Sequence, residues 1–267
     1  MAPNSEKPTF LTTPARSTKP RTSGLTHVLD KGMPLENLRA LMPSVAELVD
    51  VWKFGWGTAY LDPEVADKIA ELRTHDVNAC TGGTLMEIAD GQGRATEFFD
   101  WSASVGFAHV EVSNGATGMP VERKRELISE ANRHGFEVMS EVGSKDPEEQ
   151  ATPQEWIDEI LGDIAAGAAW VVAEGRESGT VGLYDADGQV RLDLVEAIER
   201  AVDGTKLIYE APHRSQQAWL IRTIGPHVNL GNISLGEIMS VESLRLGLRT
   251  DTIGIGTATT FASQVVG

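Results

Sequence analysis

A chain of 267 residues, 41% hydrophobic and 23% charged, carries enough apolar material for one α/β domain and is long for a simple sandwich or bundle. Its 39 acidic residues against 23 basic ones leave a formal net charge of −16, a field that repels nucleic acid and admits a small anion only where positive side chains gather locally. No apolar run approaches the roughly 18–20 residues needed to cross a bilayer, so neither nucleic acid nor membrane is an expected partner.

Residues 1–21 are rich in Pro, Ser, Thr and Lys and lack the apolar stretch of a secretory signal; they are expected to form a flexible arm on a cytoplasmic protein. Short β-rich apolar runs then alternate with longer amphipathic ones. Strands are predicted over 24–30, 49–54, 77–81, 108–113, 137–142, 169–174, 206–210 and 227–232. Helices are predicted between them, among them 63–74, 120–134, 153–166 and 192–202. In the second of these, Val121, Leu127, Ile128 and Ala131 mark an apolar face, and Glu122, Arg123, Lys124 and Arg125 are expected on the polar one. Pro63, Pro120 and Pro153 are expected inside first helical turns, and Gly106, Gly135 and Gly167 where helices stop. Pro43 is expected to split the helix between the first two strands, and Asp90-Gly91-Gln92-Gly93 to interrupt the one after the third. Cys80, beside Ala79, reads as a small buried hydrophobe, since a lone cysteine has no intramolecular partner. Eight strands alternating with helices define a single-domain α/β fold, a (β/α)8 TIM barrel over 22–251, with an irregular Gly- and Thr-rich tail over 252–267.

A parallel barrel places its active site at the C-terminal ends of its strands, and here those ends are polar. They read Asp30-Lys31; Lys53 with Gly55-Trp56-Gly57-Thr58; Thr81-Gly82-Gly83-Thr84; and Glu111 with Ser113-Asn114-Gly115. The second half continues with Glu141 and Lys145-Asp146; Glu174 through Gly179; Glu210 with His213-Arg214-Ser215; and Asn229 with Gly231-Asn232. A glutamate buried alone is costly or neutralises, so Glu111, Glu141, Glu174 and Glu210 at equivalent strand ends imply compensating cations, either protein side chains or a metal. Any one of them is equally well a structural partner of a nearby Lys or Arg; a polar residue on every strand at one end argues for a site. Gly231-Asn232 lies where this fold often binds phosphate, and Ser234 is placed to cap the turn that follows. The chain has no Walker A motif, no G-x-G-x-x-G after the first strand, no H-E-x-x-H and no G-x-S-x-G, which argues against nucleotide, zinc-hydrolase and serine-hydrolase chemistry. Of the six histidines only His213 falls on a candidate catalytic loop, and His134 reads as a helix C-terminal residue.

Several stretches along the barrel carry a resemblance. They include Leu29-Asp-Lys-Gly, Trp52-Lys-Phe-Gly-Trp-Gly-Thr, Gly82-Gly-Thr-Leu, Glu111-Val-Ser-Asn-Gly and Glu141-Val-Gly-Ser-Lys-Asp. They continue with Glu174-Gly-Arg-Glu-Ser-Gly, Glu210-Ala-Pro-His-Arg-Ser-Gln-Gln, Val228-Asn-Leu-Gly-Asn-Ile and Leu244-Arg-Leu-Gly-Leu-Arg-Thr-Asp-Thr. Together they resemble the phosphosulfolactate synthase family, whose members add sulfite to phosphoenolpyruvate in coenzyme M and sulfonate biosynthesis. The resemblance implies a magnesium-dependent carbon–sulfur lyase, cytoplasmic and homo-oligomeric, with a trimer as the candidate assembly. Lys145 matches the lysine assigned to the family's catalytic centre, and Lys53 and Arg176 are the further catalytic candidates. Arg214, Ser215, Ser178, Gly231 and Asn232 are candidates for the phosphate and substrate, and strand position makes Glu111, Glu141 and Glu174 candidates for Mg2+. Ser144 stands where many relatives carry a further lysine, and His213-Arg214 replaces a pairing often seen as Gln-Lys. The alternatives are a related barrel lyase or isomerase using another phosphorylated carboxylate or nucleophile, and a non-catalytic stress-associated paralogue.

Overall fold

In the computed structural model, which describes residues 8–143 and 151–256, the strands close into a parallel barrel in sequence order. The first half runs β1 Thr26–Asp30, α1 Leu35–Val45, β2 Val51–Phe54, α2 Thr58–Leu61, α3 Val65–Thr74, β3 Asn78–Thr81, α4 Gly83–Gly91, α5 Ala95–Val105 and β4 His109–Val112. The second runs α6 Val121–Arg133, β5 Glu137–Val142, α7 Pro153–Ala166, β6 Trp170–Ala173, α8 Leu192–Ala201, β7 Leu207–Glu210, α9 Arg214–Thr223, β8 Leu230–Ser234 and α10 Ile238–Arg245. No described helix is long and apolar enough to cross a membrane.

Alternation along the strands splits the core in two. Outward residues such as Trp52, Val110, Val138 and Val171 meet the apolar stripes of the helices, for example Leu127 and Ile128 of α6. Inward, Leu25, Val51, Cys80, Met139, Val172 and Ile208 form a separate apolar plug across the lower barrel, and Cys80 is a buried free thiol, as its neighbours indicate. Two residues further along the same inward faces stand Lys53, Glu141, Glu174 and Glu210, so the ring of charge lies one layer above the plug.

Some local expectations change. Pro43 does not split the first helix: α1 runs through it to Val45, because Pro43 lies in the final turn and deprives only the carbonyl of exposed Arg39 of its donor. Only Pro153 is inside a first turn, at the start of α7; Pro120 is the N-cap of α6, and Pro63 precedes the N-cap residue Glu64 of α3. Ser234 precedes the turn Leu235–Glu237 without a side-chain capping bond. The last strand begins at Leu230 rather than 227, for a reason that lies far away in sequence. The buried Arg245 guanidinium donates to the carbonyls of Pro226, Val228 and Leu25 at 2.8, 2.6 and 2.9 Å, and the Asn229 side chain receives the Leu25 N–H at 2.9 Å. Lys124 is fully buried on the inner face of α6, three residues from both Val121 and Leu127, with its ammonium 2.7 Å from Asp163 and from Glu159. The glycine stops hold: Gly106, Gly135 and Gly167 have φ of 101°, 89° and 113°.

At the base of the barrel, residues within the expected arm make defined contacts. Arg16 pairs with Glu242 at 3.2 Å and Arg21 with Asp50 at 2.9 Å, while Lys19 donates to the Asp76 carbonyl at 3.0 Å.

The plug is expected to carry much of the stability. Ile208→Ala should remove about 2–5 kcal/mol, lowering the urea midpoint with little change in slope; a midpoint within error of wild type would show that the barrel closes without it.

Candidate active site

Period-two alternation brings inward-facing side chains of β2, β4, β5 and β7 onto one point above the plug. The Lys53 ammonium lies 2.8 Å from Glu111 Oε2, 3.4 Å from Glu210 Oε1 and 3.7 Å from Glu141 Oε2, all of them buried. Burial pulls the Lys53 pKa down, but the three carboxylates outweigh it and hold it well above its ordinary value. Burial also lifts Glu111 to about 7, against the pull of Lys53 and with the repulsion of Glu141 and Glu210. His27, fully buried on β1, is pushed well below its ordinary pKa by burial and by Lys53, so it stands neutral beside this network.

The carboxylates also organise loops. Glu111 Oε1 accepts the Gly83 N–H at 2.8 Å where α4 begins, and Glu210 Oε2 accepts the Gly175 N–H at 3.0 Å after β6. Glu174 accepts the backbone N–H of Arg176. From behind the sheet, Lys124 donates to the Glu141 carbonyl at 2.7 Å. On α4 the buried carboxylate of Glu87 accepts bonds from Ser113, from the backbone of Ala116 and Thr117 at 2.9 and 2.8 Å, and from the Thr117 hydroxyl, which pins the loop after β4.

The result is a cavity of about 890 Å³ whose walls include Lys53, Trp56, Gly83, Glu111, Glu141, Glu174, Arg176, Glu177, Ser178, Glu210 and Asn232. Three wall residues, Trp56, Arg176 and Asn232, have left-handed backbone at φ of 51°, 55° and 53°, a conformation non-glycine residues seldom adopt and one often retained at functional sites. At Asn232 the cause is visible. Thr26 pairs with Leu230 but Val28 pairs with Ile233, so β8 carries one extra residue in a bulge that turns Asn232 to the cavity. Gly231 is needed below it, because a methyl group there would meet Ile208 Cγ2 at 2.9 Å and His27 Nδ1 at 3.0 Å.

One carboxylate oxygen from each of Glu141, Glu174 and Glu210 lies within 4.8 Å of the others. Oxygen donors of this kind suit a hard divalent cation such as Mg2+. Of the expected metal-binding glutamates, Glu141 and Glu174 therefore stand together. Glu210, to which the sequence assigned no role, lies in this group with them, and Glu111, beside Lys53 and Gly83, lies outside it.

Lys53, Arg176, Ser178 and Asn232 line the cavity as their strand-end positions implied, and Gly231 lies beneath. Arg214 and Ser215 do not reach the wall. They are exposed at the start of α9, where His213 Nε2 lies 2.7 Å from the Ser178 carbonyl and Gln216 donates to Gly179 at 2.8 Å, so this helix end buttresses the loop after β6 from outside. Lys145 lies outside the described residues. Sequence reasoning missed Glu87 and Lys124; the signal available was a single charged residue on an otherwise apolar helix face. Asp30 turned out to be structural, its carboxylate accepting from the Gly32 and Met33 backbone at 2.8 and 2.7 Å and from the Trp52 indole at 3.0 Å.

Fold and site together define a TIM-barrel enzyme with a buried acidic centre at the strand C-termini. Residues 14–251 match the (2R)-phospho-3-sulfolactate synthase (ComA) family. The chain is 44% identical over 247 residues to the phosphosulfolactate synthase of Methanothermobacter thermautotrophicus, covering 91% of this chain and 96% of that one. It is 39% identical over 242 residues to that of Bacillus subtilis, covering 90% and 96%. Among solved structures, 3-hexulose-6-phosphate synthase from Salmonella typhimurium aligns at a TM-score of 0.55 and 13% identity over 83% of this chain and 98% of that one, which is likeness of fold alone. The chain belongs to the phosphosulfolactate synthase family.

The raised pKa of Glu111 has a consequence for stability. Unfolded it titrates near 4.5 and folded at about 7, so the stability it contributes is complete below 4.5 and is lost as pH rises through 7. Without divalent cations, Glu111→Gln should therefore gain on wild type between pH 5 and 8, by roughly 3 kcal/mol at most, read from thermal unfolding at each pH. A constant difference across that range would mean that Glu111 titrates normally.

Proposed function

We propose that this chain is a Mg2+-dependent carbon–sulfur lyase working in the synthetic direction: sulfite sulfur adds to C3 of phosphoenolpyruvate and C2 is protonated, giving phosphosulfolactate. Near full-length similarity to proteins named phosphosulfolactate synthase supports the reaction. The observation that carries it at the level of residues is the convergence of Glu141, Glu174 and Glu210 beside Lys53 on the floor of a cavity sized for small metabolites.

As the C–S bond forms, the C2–C3 π electrons move toward the substrate carboxylate, which takes on enediolate character until C2 receives a proton. Magnesium bound by Glu141, Glu174 and Glu210 would supply Lewis-acid stabilisation for that charge. Lys53, held protonated by its carboxylates, adds a fixed positive charge at the cavity floor without reorganising during reaction. Arg176 offers a planar fork to the phosphate or carboxylate, and Ser178 and Asn232 supply hydrogen bonds on the same wall. Lys145 is assigned to orient sulfite or deliver the C2 proton. Glu111 steadies Lys53 and the start of α4. The same reading makes the protein a cytoplasmic homo-oligomer, with a trimer as the candidate assembly.

Phosphorus and carbon NMR of the purified protein with phosphoenolpyruvate, sulfite and Mg2+ tests this directly. Wild type should form a sulfonated phospholactate only when all three are present. Lys145→Ala and Glu174→Gln should each lower kcat on the order of 100-fold or more while remaining folded. Phosphoenolpyruvate left intact by wild type would remove the proposed reaction, and a near-normal Lys145→Ala variant would remove that lysine from it.

A further inference from the structure

We propose that Lys31 is an anion-binding residue at the cavity mouth, where it exchanges Glu177 for the oxyanion of an incoming substrate. This rests on the proposed reading only in that the substrates are anions. Lys31 follows β1 and Glu177 follows β6, and these strands are not neighbours: β1 pairs with β2 and β8, and β6 with β5 and β7. Their ion pair therefore spans the opening rather than joining adjacent loops. The Lys31 ammonium also lies 5.9 Å from the centre of the Trp56 ring, and both Trp56 and Glu177 form part of the cavity wall.

The charges on that wall give the pair a purpose. Among the described lining residues there are five glutamates, Glu111, Glu141, Glu174, Glu177 and Glu210, against two cations, Lys53 and Arg176. Lys53 is already engaged by three of those carboxylates. Glu177 is the wall carboxylate that holds Lys31 at the edge of the cavity, so an anion arriving there finds a cation whose partner it can replace. Its present partner is weakly held: the two side chains are 48% and 49% exposed, and pairs so wet contribute little. The face of Trp56 keeps the ammonium at the mouth after Glu177 lets go.

The inference makes Glu177 an internal competitor, so the two halves of the pair should act in opposite directions. Calorimetric binding of phosphoenolpyruvate to the full-length protein saturated with Mg2+ is expected to weaken about two- to fivefold in Lys31→Met and to tighten by a similar factor in Glu177→Gln, both effects fading at high salt. Inorganic phosphate and sulfite titrated separately identify which oxyanion Lys31 meets, the responsive one showing the same order. If both variants weaken binding alike, the pair is a structural latch and the proposal fails; it fails too if neither variant moves any of the three affinities. Turnover is measured in parallel, so a protein that binds phosphoenolpyruvate in the expected order without forming product overturns the proposed reaction and leaves Lys31 standing.

Discussion

The upper half of the barrel depends on one buried ammonium. Lys53 arrives on β2 and is met by carboxylates from β4, β5 and β7, so a single charge ties four of the eight strands at the level where the loops begin. Burying such a group alone costs several kcal/mol, and removing one member of a buried pair strands the other. Neither partner is therefore free to drift. The same carboxylates use their second oxygens on backbone N–H groups, Glu111 on Gly83 and Glu210 on Gly175, so the geometry of the charge cluster passes directly into the loops after β3 and β6.

This arrangement works because it stands on a dry floor. Val51, Met139, Val172 and Ile208 sit two residues before Lys53, Glu141, Glu174 and Glu210 on the same inward faces. The pleat that makes a TIM barrel a packed core thus also builds a low-dielectric platform under the site. Electrostatic interactions above that platform are stronger than they would be in water. The pKa of Glu111, lifted to about 7 by burial and by the repulsion of Glu141 and Glu210 against the pull of Lys53, reflects that setting.

Much of this was legible in the sequence because it follows local periodicity. Predicted bounds 137–142 and 153–166 coincide with β5 and α7, where an alternating strand and a Pro153 start leave little choice. The four glutamates were legible for the same reason, each closing an apolar run at the same point of a βα unit. Where the reading went astray, the deciding partner is remote. Arg245 and Asn229 shift the start of β8 through bonds to Leu25, 220 and 204 residues away. Lys124 is buried because Asp163 waits on the next helix. Arg214 and Ser215 follow the end of β7 but lie off the cavity wall, because the direction in which α9 leaves the barrel depends on how His213 and Gln216 meet the loop after β6. Glu210 was seen and left without a part, since nothing along the chain says which three of four carboxylates share a corner.

The site therefore divides into two electrostatic regimes by depth. At the floor, charges are dry, multiply bonded and fixed before any ligand arrives, which is the condition under which they can stabilise charge that develops during a reaction. At the rim, Lys31, Glu177, Arg176 and Ser178 are exposed, and a wet ion pair such as Lys31–Glu177 exchanges partners at little cost. An acidic protein handling anions has use for both. A fixed floor alone would not gather arriving anions, and an exposed rim alone would capture them without orienting their reacting carbon. The long loop after β6 links the two regimes: its first residues are anchored through Gly175 to Glu210 on the floor, and its next two place Arg176 and Glu177 at the rim.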